Sequence, residues 1–122
     1  MKQIKHKIII LLLLFTSVVS FATKNLQANA EKAYSNKNYK ESITAYETIL
    51  NEGQVSYKLY YNLGNAYYKN NELGKAIYNY ELANKLQPNN KDVKTNLRIA
   101  NEKTIDKIEK LNSFTQFIPK KE

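Results

Sequence analysis

The chain has 122 residues, with 19 Lys+Arg against 11 Asp+Glu for a net charge of +8, and no cysteine. That length holds one small domain, and the missing thiols exclude a disulfide framework, thiolate catalysis and a zinc-thiolate site. The lysines are spread over the whole sequence and mixed with glutamates rather than gathered in a stripe with interleaved aromatics, which argues against a nucleic-acid partner.

Residues 1–22, MKQIKHKIIILLLLFTSVVSFA, open with Lys2, Lys5 and Lys7, run unbroken and apolar from Ile8 to Phe15, and end on Ser20-Phe21-Ala22. A basic start, an apolar middle and small residues at the end are the parts of a secretory signal peptide, so cleavage is predicted after Ala22. The competing expectation is an uncleaved N-terminal membrane anchor, for which the apolar run is short against the ~20 residues a span needs. Either way the remaining chain is expected to be exported, which in a Gram-negative bacterium means the periplasm. Losing three lysines with the signal leaves 16 basic residues against 11 acidic, a milder +5.

Residues 57–90, YKLYYNLGNAYYKNNELGKAIYNYELANKLQPNN, read as two antiparallel helices. Leu59, Tyr60, Leu63 and Tyr67 recur at three- and four-residue spacing and put an apolar stripe on the first helix. Gly64 inside that helix costs about 1 kcal/mol against alanine, so a close helix approach is its expected purpose. Ala76, Ile77, Tyr80 and Ala83 supply the facing helix, Asn70-Asn71 suit a left-handed reversal, and Pro88 stops the second helix. Residues 23–56 repeat the unit more weakly: at an offset of 34, Tyr34 falls on Tyr68, Asn36 on Asn70, Ile43 on Ile77, Tyr46 on Tyr80, Ala30 on Gly64 and Ser42 on Ala76. Asn29 replaces Leu63, as suits a terminal unit with one face in water, and Gly53 is expected to end its second helix. In residues 91–112, NLRIANEK aligns with NLGNAYYK at the same offset, and Asn90 can cap the start. A capping helix is predicted there, with Val93, Leu97, Ala100 or Asn101, Ile105, Ile108 and Leu111 as its stripe. Residues 113–122 carry Phe114, Phe117 and Ile118 without a period and are expected to form a tail.

Tyr60, Leu63-Gly64, Tyr67, Ala76, Tyr80, Ala83 and Pro88 stand, without gaps, at the positions of the 34-residue tetratricopeptide repeat, which this segment closely resembles. The resemblance implies an all-α fold: a short α-solenoid of two helix hairpins, residues 23–56 and 57–90, closed by the capping helix 91–112. It implies a binding scaffold that takes a protein or peptide partner, needs no cofactor or metal, and has no small-molecule substrate. The residues agree. The one histidine, His6, lies in the signal segment, and the carboxylates sit beside lysines on polar faces, as in Glu72/Lys75 and Asp106/Lys110. No catalytic constellation emerges, and an enzyme is not expected.

Stacked hairpins present a concave face lined by the first helix of each pair. Helical spacing assigns Lys58, Tyr61, Asn65, Tyr68 and Lys69 to it from the second repeat, Gln27, Glu31, Tyr34 and Ser35 from the first, and Thr95, Ile99 and Glu102 from the cap. Tyrosine offers area plus a hydroxyl, and asparagine can hold a peptide amide through both its donor and its acceptor. Carboxylate-clamp repeats, which hold the C-termini of their partners, are matched here at Gln27, Glu31, Asn62, Asp92 and Asn96. Only Asn62 fits, so a clamp is not expected.

The run from Tyr57 to Phe114, above all NLRIAN followed by TIDKIEKL, also resembles the N-terminal region of BatE-type aerotolerance proteins. Those carry a signal peptide, a periplasmic repeat region and later membrane-spanning segments, and the resemblance implies membrane proteins of the cell envelope as partners. This chain departs from them in stopping at Glu122, as a shortened relative or an incomplete gene product. A structural, self-associating helical module, joined through its end faces and Phe114, Phe117 and Ile118, is the alternative.

Overall fold

Two tight helix reversals, 34 residues apart, set the architecture. The computed structural model describes the backbone of residues 1–115 and the side chains of residues 1–14 and 24–113. Among them are five helices and no strand: α1 (Lys2–Ser35), α2 (Tyr39–Asn51), α3 (Tyr57–Lys69), α4 (Leu73–Leu86) and α5 (Lys91–Thr115). The class is the all-α helical repeat that the spacing predicts. The protein divides into two compact units, Met1–Gly53 and Gln54–Glu122.

In the first unit α1 ends in a Schellman turn, with Asn38 N–H donating to Ala33 O at 2.8 Å and Lys37 N–H to Tyr34 O at 3.0 Å. In the second unit α3 ends in the same way, with Glu72 N–H on Tyr67 O at 2.9 Å and Asn71 N–H on Tyr68 O at 3.1 Å. The left-handed residue is Asn71 in one turn and Lys37 in the other, both at φ 63°. Asparagine suits that backbone. Lysine holds it against a Cβ penalty of about 1 kcal/mol, and the two turn hydrogen bonds keep it there. Gly53 closes α2 at φ 85°, in the role expected for it.

The first hairpin buries Ala30 and Ala33 of α1 with Ile43, Tyr46 and Ile49 of α2. Ser42 is fully buried where the second repeat has Ala76, and its Oγ has no hydrogen-bond partner. The site therefore uses the small volume of serine and not its hydroxyl. Asn29 is exposed, as a water-facing terminal unit requires. The helix α1 is longer than the repeat needs. It contains neither Gly nor Pro and passes position 22 without a break. Upstream, Ile8 to Leu14 are all exposed. Among the described residues no helix is long and apolar enough to cross a membrane.

The second hairpin has the tighter core. Ser56 caps α3, its Oγ accepting from Leu59 N–H at 3.1 Å. Leu59, Leu63, Ala66 and Tyr67 of α3 and Leu73, Ala76, Tyr80 and Ala83 of α4 are buried. Tyr60 and Ile77, predicted for the core, are only half-buried. Gly64 works as its spacing predicts: a Cβ there would lie 2.7 Å from Tyr80 Cδ1 and Cε1 and 3.3 Å from the Ala76 carbonyl oxygen. Asn79, unforeseen in the core, is buried and satisfies Nδ2 on the Lys75 carbonyl at 2.9 Å.

Asn90 caps α5 through Oδ1, which accepts from Val93 N–H at 3.1 Å. Val93 and Ala100 are buried and Leu97 is half-buried, so the first turns of α5 cover the second hairpin as expected. The rest corrects the expectation in two ways. The helix does not stop at residue 112 but runs to Thr115. Its predicted stripe is not buried to the end: Ile105, Ile108 and Leu111 are 56%, 52% and 56% exposed. The reason is length. The 25 residues of α5 extend about 37 Å, whereas the 14 of α4 extend about 21 Å, so the last turns of α5 pass the end of their support. Phe117 and Ile118, and the side chain of Phe114, lie outside the described residues.

Candidate interaction surface

The residues assigned to the binding face in the second unit lie on one arc of α3, since positions 58, 61, 65, 68 and 69 fall within about 100° at 3.6 residues per turn. Lys58 and Lys69 at its two ends are exposed, and Tyr61, Asn65 and Tyr68 between them are half-buried. The half-buried three are held from α4 and α5. Tyr80 of α4 donates its hydroxyl to Asn65 Oδ1 at 2.7 Å. Asn96 of α5 donates from Nδ2 to the same Oδ1 at 2.9 Å and to the Tyr61 hydroxyl at 3.0 Å. The Tyr61 ring lies 6.0 Å from the Tyr80 ring, tilted by 46°. Lys103 of α5 places Nζ 4.5 Å from the centroid of the Tyr68 ring, a cation–π contact.

These bonds fix what the face can offer. With two donors on Oδ1, Asn65 is oriented with its oxygen inward. Its Nδ2 meets no acceptor among the described residues and is not among the buried polar atoms left without one, so it reaches solvent. The expectation that asparagine holds a ligand through both donor and acceptor is therefore corrected at Asn65: the acceptor half is consumed by Tyr80 and Asn96. Tyr61 already accepts from Asn96 and retains its hydroxyl hydrogen.

The other assigned residues divide. Ile99 stands on α5 at 38% exposure. Glu102 is tied to Arg98 at 2.7 Å, which also gives the long side chain at the Gly64-equivalent position a partner in water. Glu31 and Tyr34 belong to the first unit. Glu31 is exposed and accepts from Gln27 Nε2 at 3.1 Å. Tyr34 is half-buried, edge-on to Tyr39 with centroids 5.5 Å apart. Of the ion pairs anticipated on polar faces, Lys75–Glu72 closes at 2.8 Å. Asp106 and Lys110 make no ion pair among the described residues.

Residues 57–90 match the family model of the tetratricopeptide repeat. The match spans α3, α4 and the loop that leads to α5, and so contains Lys58, Tyr61, Asn65, Tyr68 and Lys69. No curated protein matches the sequence. A tetratricopeptide repeat is in general a module for holding protein partners and is typically not an enzyme. Stacked repeats of this kind form extended concave binding surfaces. Lys103, which completes this surface, is not singled out for it by sequence reading, and Asn96 enters that reading only as a clamp position that does not fit. Their sequence signal is alignment at offset 34 with Asn62 and Lys69, and alignment does not say what a side chain on the neighbouring helix will reach.

Proposed function

We propose that the protein is an exported, non-catalytic adaptor that holds a protein or peptide partner on the α3–α5 face of its second unit. The observation that carries this reading is the tie of Tyr61 and Asn65 to Asn96 and Tyr80, which orders polar and aromatic groups at a half-exposed surface before any partner arrives. Pre-ordered aromatic and amide groups lose little freedom on binding. Export is supported by Lys2, Lys5 and Lys7 ahead of the run from Ile8 to Leu14, an apolar segment that stands exposed. Membrane proteins of an aerotolerance-type envelope complex are the finer proposal, supported by the resemblance of the segment from Tyr57 to Phe114.

The test is recovery of partners from a solubilised envelope fraction on immobilised protein. Tyr68→Ala, which removes a ring whose partner is Lys103, and Tyr61→Ala/Tyr68→Ala are expected to lower recovery of the specific partner at least about tenfold, as loss of an aromatic anchor does. Helix content measured in parallel guards against the packing of Tyr61 on Tyr80. Undiminished recovery by both folded variants removes this face from the reading.

One observation favours a second reading, a self-associating module: the exposed Ile105, Ile108 and Leu111 on the overhanging end of α5. Burying such a stripe against a second copy is favourable by roughly 25 cal/mol per Å² of apolar surface. On that reading the protein sediments as a dimer at micromolar concentration and Ile108→Glu returns it to monomer. A monomer at high micromolar concentration excludes it.

A further inference from the structure

The α3–α5 face is rich in hydrogen-bond donors and carries positive charge at both ends, Lys58 at one and Lys69 with Lys103 at the other. Asn65 presents Nδ2 outward because its oxygen is doubly engaged. One turn on, Tyr68 carries the Lys103 ammonium over its ring, and Lys69 is exposed beside it in the last turn of α3. Neither Lys69 nor Lys103 has a carboxylate partner among the described residues, whose two ion pairs are Lys75–Glu72 and Arg98–Glu102. The acidic groups of α5 are Asp92, Glu102, Asp106 and Glu109; Asp106 stands one turn from Lys103, yet none of the four pairs with Lys69 or Lys103 among the described residues. Glu102 is taken by Arg98. Asp92 lies in the first turn of α5, eleven residues or about 16 Å along the helix from Lys103.

Amide hydrogens and ammonium groups complement oxygen-rich ligands. We infer that the Lys69 and Lys103 end of the face takes an acidic, extended peptide segment. Asn65 Nδ2 donates to a backbone carbonyl or carboxylate oxygen, and Lys69 and Lys103 lie against its Asp or Glu side chains. The inference deepens the proposed function and rests on it. It differs from a carboxylate clamp in needing no free C-terminus: the acidic side chains within the segment are what is recognised.

The experiment is fluorescence anisotropy with the full-length protein and a labelled, C-terminally amidated peptide of alternating Glu and Ser. Peptides of equal length carrying Gln or Lys in place of Glu serve for comparison. The acidic peptide is expected to bind at least about tenfold more tightly than the neutral one at low salt, with the difference shrinking as added salt screens the lysines. Asn65→Asp keeps an oxygen for Tyr80 and Asn96 but replaces the outward donor with an anion. It is expected to weaken the acidic peptide at least about tenfold with helix content unchanged. Lys69→Gln/Lys103→Gln, which touches no buried group, gives the same loss by a route independent of Asn65. Equal binding of all three peptides, or none of any, overturns the inference. Equal competition by a single-stranded oligonucleotide of matched charge overturns it as well, because the surface is then a general polyanion site. Equal binding of all three, with loss of all three in Tyr68→Ala, overturns the acidic preference and leaves the adaptor reading standing.

Discussion

Tyr80→Ala is expected to destabilise the protein by about 3–5 kcal/mol, the range for deleting a buried aromatic side chain. Only 1% of Tyr80 is exposed; its ring packs on Gly64 and its hydroxyl bonds Asn65. A domain of this size has roughly 0.05–0.15 kcal/mol of stability per residue, so one substitution removes a large share of the total. Tyr80→Phe separates the two roles. It keeps the ring and loses one hydrogen bond, while Asn65 Oδ1 still accepts from Asn96, so a loss of about 1 kcal/mol is expected. Urea unfolding followed by circular dichroism measures both. If Tyr80→Ala unfolds no more easily than Tyr80→Phe, the ring is not the centre of the second unit.

The next largest effect comes from adding a single methyl group. Alanine in a helix interior is favoured over glycine by about 1 kcal/mol, so propensity alone makes Gly64→Ala stabilising. The opposite is expected. The new Cβ would lie 2.7 Å from two carbons of the Tyr80 ring and 3.3 Å from the Ala76 carbonyl oxygen. The ring cannot swing aside, being buried and anchored at its hydroxyl. Overpacking of this kind costs about 1–3 kcal/mol and outweighs the propensity gain. Gly74 is the control. It is exposed in α4, and a Cβ added to it would meet nothing within 4 Å, so Gly74→Ala is expected to stabilise by up to about 1 kcal/mol. Melting temperatures that move in opposite directions for the two variants bear out the close approach. A rise for both means that α3 and α4 stand farther apart than their contacts require.

Gly64, the two alanines that follow it on α4 and Tyr80 make this close approach legible in the sequence, because helix separation is governed by side-chain volume at a few fixed intervals. The reversals were legible for the same kind of reason at Asn71, whose side chain tolerates a left-handed backbone. At Lys37 the same φ is imposed by the hydrogen bonds of the turn, against the residue's own preference. The binding face was legible only as an arc. Periodicity puts Tyr61, Asn65 and Tyr68 on one side of α3. It cannot tell that Asn96 turns the Asn65 amide, or that Lys103 covers Tyr68, since both depend on the distance between helices remote in sequence. The stripe on α5 misled in the opposite way. Its spacing is regular through Leu111, but burial ends where the supporting helices end, and a pattern read along one helix carries no information about the length of its neighbours.

That overhang makes order itself conditional. A helical segment of about ten residues standing alone in water is marginal, because nucleation is costly and each added residue gains little. From Ile105 onward α5 has its own backbone bonds and the continuity of the preceding turns to hold it, and no packed face. A protein that lays an apolar strip along Ile105, Ile108 and Leu111 would stiffen the rod and bury the strip in one event. The two could not be separated by any measurement of affinity, and the strength of such a contact would track temperature as steeply as helix melting does.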